Sequence, residues 1–155
     1  MTINNLSFDI RTSVDFFQKL KEDYSEFMKD KTSSRIALNC AMTAWHLIEW
    51  VFHEYNTNKK LDNFQNEIKN KCSSMQIMKD ISNGTKHYLL TKSKPEIKKT
   101  SLSKGSFDNG FNRDFDISTL DVEYNDGTEV FFEDEIENVI DFWENYFKTE
   151  LSVNI

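Results

Sequence analysis

Ile36-Ala37-Leu38-Asn39-Cys40-Ala41-Met42-Thr43-Ala44-Trp45-His46-Leu47-Ile48-Glu49-Trp50-Val51-Phe52 decides the fold class of this chain. Ile36, Leu38, Ala41, Ala44, Trp45, Leu47, Ile48, Val51 and Phe52 cover most of the circumference of a 3.6-residue helix, which is how a central core helix reads. Ser33 or Ser34 supplies the N-cap, and the pattern runs to about Asn56. One polar strip interrupts it: Asn39, Thr43, His46, Glu49 and His53. Such a strip is either a solvated edge or a site.

Outward from this helix, the chain reads as further helices. Val14, Phe17, Leu20, Tyr24, Phe27 and Met28 recur at helical spacing from about Thr12 to Asp30, with Thr12 or Ser13 as N-cap. A short helix from about Leu61 to Cys72 carries Leu61, Phe64 and Ile68 on one side. A fourth starts near Ser73 or Ser74 and places Met75, Met78, Ile81, Tyr88 and Leu89 inward. Gly84 lies inside it at a cost of about 1 kcal/mol relative to Ala, which asks for a close helix approach or a bend. Residues 91–117 show no clear period and predict an irregular crossing with brief extended pieces. In 118–132, Asn125-Asp126-Gly127 between two apolar runs signals a β-hairpin. A last helix at 133–151 buries Ile136, Val139, Ile140, Trp143, Phe147 and Leu151, and its acidic start, Glu133-Asp134-Glu135, suits the helix dipole. The expectation is a single domain over 1–155: a mainly α helical bundle (12–90), the crossing, the hairpin and the final helix.

Composition narrows the function classes. Aromatic content is 14% and Pro occurs once, so the chain has rings to bury and permits long helices. No stretch approaches the roughly 20 apolar residues of a membrane span, and Met1–Ile10 lacks the features of a signal peptide. Cys40 and Cys72 have no paired-motif spacing and read as free thiols, consistent with the cytoplasm. A net charge of −7 opposes general nucleic-acid affinity. Yet Lys86, Lys92, Lys94, Lys98, Lys99 and Lys104 face only Glu96 in their stretch. That run is either a solvated loop or the flank of a phosphate-bearing ligand beside His87.

All three histidines fall in two helical segments, with polar residues at i, i+3 and i+7: His46, Glu49, His53 and Asp80, Asn83, His87. If both stripes face one cleft, His87 is a general acid or base, with Glu49 or Asp80 orienting its ring. Lys86 and Asn83 are then suited to phosphate or an oxyanion. His46, Glu49 and His53 also offer metal ligands, but not at the HExxH or doubled ExxH spacing, so no metal and no cofactor is expected. The competing structural reading joins His46, Glu49, Asp80, Asn83 and His87 in a buried hydrogen-bonded network. Trp45, Trp50 and Trp143 read as core, because a base-stacking role requires exposure beside positive charge.

The segments Ala44-Trp45-His46-Leu47-Ile48-Glu49-Trp50, Asp80-Ile81-Ser82-Asn83-Gly84-Thr85-Lys86-His87 and Phe142-Trp143-Glu144-Asn145-Tyr146-Phe147 resemble a group of small bacterial proteins of unassigned activity. These share an A-x-H-L-x-[DE]-W helix, a D-x-x-N-G-[ST]-K-H helix and a closing F-W-E-x-[FY]-F helix. More distantly, the chain is similar to the HEPN superfamily of helical bundles. Many members are dimeric, metal-independent ribonucleases of toxin–antitoxin and phage-defence systems. Only that family's histidine carries over, onto His87. Its arginine would fall four to six residues earlier, where this chain has Asn83 at four, and Arg11, Arg35 and Arg113 lie elsewhere.

The sequence therefore leads to a cytoplasmic, HEPN-like accessory or defence protein. His87, His46 and Glu49 form the candidate catalytic set, and Asp80, Asn83 and Lys86 bind a phosphate-containing ligand, with RNA or a nucleotide as the candidates. Metal-independent cleavage is expected to be weak or absent. A homodimer is expected, and no membrane partner. The alternatives are a non-enzymatic module engaging a protein partner through the acidic carboxy-terminal face and, behind it, a metal-dependent hydrolase.

Overall fold

The computed structural model describes residues 6–55, 58–92, 94–104 and 118–155. Five helices and three strands follow in the order α1 (Ser13–Lys29), α2 (Ser34–Tyr55), α3 (Leu61–Lys71), α4 (Ser74–Lys86), β1 (Ile97–Ser103), β2 (Thr119–Tyr124), β3 (Glu129–Phe131) and α5 (Phe132–Thr149). The mainly helical class, the late hairpin and the closing helix are as the sequence predicts.

α1 begins where a capping box satisfies its first amides. The Asp15 N–H donates to Thr12 Oγ1 at 3.1 Å, and the Asp15 carboxylate accepts the Thr12 N–H at 2.9 Å. α2 is the central element: Ala41, Ala44, Leu47, Ile48 and Val51 are fully buried, and α1, α3, α4 and α5 all pack against it. Rings lock this core together. Phe17 stacks on Phe147 at 5.3 Å, Phe27 meets Phe132 edge-on at 5.3 Å, and Trp143 is fully enclosed.

The strands form one antiparallel sheet in the order β1-β2-β3. The hairpin turn lies where Asn-Asp-Gly places it, with Gly127 at φ 87°, a backbone conformation that glycine adopts without strain. Tyr124 N–H closes the turn onto the Thr128 carbonyl at 2.8 Å.

Four local expectations need correction. The crossing at 91–117 contains a seven-residue strand, β1, paired to β2 through Lys99↔Glu123 and Leu102↔Leu120; 93 and 105–117 lie outside the described residues. Phe132 starts α5 instead of ending the hairpin. α4 stops at Lys86, so Tyr88 and Leu89 are exposed, not inward. Gly84 has open space around it, so close packing does not explain it.

Candidate functional site

α2 and α4 lie side by side, as a shared cleft requires, but their polar residues divide among three places. Asp80 turns to the sheet. Its buried carboxylate accepts the Gln76 side-chain amide at 3.0 Å and the backbone N–H groups of Glu96 and Ile97 at 2.8 and 3.3 Å. Two backbone donors and an amide occupy both of its oxygens. Asp80 is therefore a clasp that fastens the start of β1 to α4, not a ligand-binding group, and it does not orient an imidazole.

His46 is exposed on α2. Loss of surrounding water holds its pKa below the ordinary imidazole value; the positive charges of Lys86 and Lys19 act the same way, and Glu49 opposes them. His46 and Lys86, both singled out from the sequence, are thus near enough for the ammonium to act on the imidazole. Glu49 is exposed and pairs with His53, at 3.6 Å on the next turn. Among the described residues no group of three or more His, Cys, Asp or Glu side chains converges as a metal site.

Asn83 and His87 occupy a third place. His87 caps α4 in extended conformation, its N–H donating to the Asn83 carbonyl at 3.0 Å. Asn83 and His87, with Leu89, Leu90, Thr91 and Lys92, line a hollow of ≈310 Å³. Among the described residues no hydrogen bond joins the side chains of His46, Glu49, Asp80, Asn83 and His87, so the buried-network reading is not what the structure forms.

Three features do not follow from the sequence reading. Thr43, on the α2 polar strip, is buried in a triad: Lys19 Nζ donates to Thr43 Oγ1 at 2.7 Å and Thr43 Oγ1 donates to Asp23 Oδ2 at 2.9 Å. Trp45 is only half-buried, and Lys79 Nζ lies 5.8 Å from its ring centroid. Lys69 of α3 lies beside Lys79, where burial and that second ammonium hold its pKa down. A signal for Lys79 was present: Lys79, Asn83 and Lys86 stand at i, i+4 and i+7, one stripe of α4.

The lysines sort by partner. Lys19, Lys29, Lys31, Lys59, Lys71, Lys98, Lys99 and Lys148 each contact a carboxylate within 4.0 Å. Lys69, Lys79, Lys86, Lys92 and Lys94 have no such partner among the described residues and gather on α3, α4 and the loop that follows; Lys21, Lys60 and Lys104 are scattered. The cysteines are inert by contrast, both buried, with the Cys40 thiol pushed up to about 12 by loss of water. Among the described residues no helix is long and apolar enough to cross a membrane. No family model, curated protein or solved structure matches the chain.

Proposed function

We propose that this protein is a HEPN-like accessory or defence-type protein that binds a phosphate-bearing ligand, RNA foremost, along the outer side of α4 and the loop after it. One observation carries the reading. On a chain of net charge −7, five lysines without carboxylate partners among the described residues, Lys69, Lys79, Lys86, Lys92 and Lys94, lie on α3, α4 and the loop after it, and Lys92 lines the hollow with Asn83 and His87. Free ammonium groups release counterions when they meet phosphates, whereas lysines held in ion pairs must first give up a partner. The exposed His46 imidazole, near Lys86, adds a group whose protonated form an anion would favour.

Cleavage is weak or absent in this reading. His87 is the candidate acid or base, but Asp80 is fully engaged elsewhere and no side chain hydrogen-bonds the His87 ring among the described residues. The position four residues before His87 is Asn83, which brings no positive charge to a developing oxyanion.

The test is binding of labelled RNA in chelator at several salt concentrations, beside His87→Ala and a Lys86→Ala/Lys92→Ala double variant. The wild type should bind without shortening the RNA, and the double variant should lose affinity and flatten the salt dependence. Absence of binding at low salt removes the reading. Rapid, His87-dependent cleavage keeps the ligand but makes the protein a nuclease.

A second reading, a homodimeric or partner-binding module, has its own observation: Glu133, Glu137 and Asp141 of α5 stand together close enough to add to the effect of burial in raising the pKa of Tyr24. A strict monomer by light scattering, with binding unchanged in Glu137→Lys, would remove it.

A further inference from the structure

The loop from His87 to Lys92 has a composition that a phosphate site alone does not need. Tyr88 is 101% exposed and Leu89 70%, and they lie between Lys86 and Lys92, neither of which has a carboxylate partner among the described residues. A fully exposed ring flanked by unpaired ammonium groups is the arrangement on which a nucleobase can stack. The segment is anchored on both sides: it continues from α4 through the His87–Asn83 bond, and Asp80 holds the chain again at Glu96 and Ile97.

The hollow beside it is small and divided. Leu89 and Leu90 give it apolar walls, Asn83 gives an amide that both donates and accepts, and His87 and Lys92 give nitrogen groups that carry or gain positive charge. A volume of ≈310 Å³ is at the lower limit for a ligand pocket and suits one planar heterocycle with its phosphate. A duplex keeps its bases stacked inside and shows such a site only its backbone; a single strand can splay a base out.

We infer that the loop selects single-stranded nucleic acid, seating one base in the hollow against Leu89 and Leu90 and stacking the next on Tyr88, while Lys86, His87 and Lys92 hold the intervening phosphates. This rests on the phosphate-binding reading above and adds to it a class of ligand and a specificity-determining residue. Asn83 reads the edge of the seated base. No bond is made or broken.

The experiment measures anisotropy of a short labelled RNA strand, free and annealed to its complement, against wild type, Tyr88→Ala, Tyr88→Phe and Lys86→Ala/Lys92→Ala. Tyr88 projects fully into solvent, so its variants keep the fold, which circular dichroism verifies. The free strand should bind more tightly than the duplex. Tyr88→Ala should weaken it about tenfold, within the range that ring–base stacking contributes, with the salt slope intact, and Tyr88→Phe should retain affinity. Equal binding of strand and duplex, with Tyr88→Ala silent and the lysine double variant impaired, overturns base stacking and leaves the phosphate reading standing. Failure of both strand and duplex to bind at low salt overturns both. Tyr88-dependent sedimentation with phosphatidylserine vesicles, without strand binding, overturns the inference in favour of a membrane surface.

Discussion

Asp80 and His46 sit on polar stripes of the same kind, and their surroundings give them opposite roles. Asp80 serves two backbone N–H groups at the start of β1, and removing a buried acceptor costs the full desolvation of the donors it served. Asp80→Ala should therefore lower stability by about 2 kcal/mol in a urea titration, and the Glu96 and Ile97 amides should become fast-exchanging. Asp80→Asn, which keeps one acceptor oxygen, should lose less. His46 has a pKa held below its ordinary value by loss of water and by Lys86 and Lys19. Its protonated form is thus more comfortable in the unfolded chain. The stability it contributes is present above the unfolded-state value of about 6.5 and is lost as pH falls through the lower folded value. His46→Gln should flatten that part of the acid limb. In NMR titrations the His46 pKa should rise when inorganic phosphate or RNA binds beside it, because an anion favours the imidazolium.

At the scale of elements, α4 shows both what the sequence discloses and what it withholds. Its start, its apolar face and its contact with α2 follow from periodicity. Its end does not. Asp80, Asn83 and His87 form one stripe only if the helix continues past His87; instead α4 ends at Lys86, and Asp80 accepts from the backbone of Glu96, sixteen residues away in sequence. Local pattern carries no trace of such a capture. β1 was hidden for a related reason: Lys98, Lys99, Thr100 and Ser101 are all exposed, so no alternation marks the strand, and its pairing with β2, reinforced by Lys98 and Lys99 on Glu123, creates it. The hairpin was legible because its turn is encoded locally. Gly84 gives the test at this scale. It is exposed, in the last turn of α4, with nothing near a Cβ placed there. Gly84→Ala should stabilise the fold by about 0.5 kcal/mol, less than a mid-helix exchange since a final turn frays, and raise Tm by about 2 °C. A loss of stability would show that the glycine serves a conformation other than the one described.

For the whole molecule, the decisive quantity is where charge is left uncompensated, not its sum. The net charge of −7 opposes polyanion binding at long range, and that repulsion weakens over about 10 Å at 0.1 M salt. Inside that distance a ligand experiences the local set, and outside α3, α4 and their continuation most lysines are already held: Lys29 by Glu26 at 2.7 Å and Lys148 by Glu144 at 3.0 Å. A matched pair of double variants separates the two effects. Lys29→Ala/Lys148→Ala and Lys86→Ala/Lys92→Ala remove the same formal charge. If net charge governed association, both would weaken RNA binding alike. If the unpaired lysines of α4 and its loop govern it, the first pair should leave affinity within about twofold. The second should reduce the slope of log affinity against log salt by about 0.7 for each phosphate that the protein no longer neutralises. Equal weakening in the two variants would mean that the ligand is steered by the field of the molecule and that α4 carries no binding surface of its own.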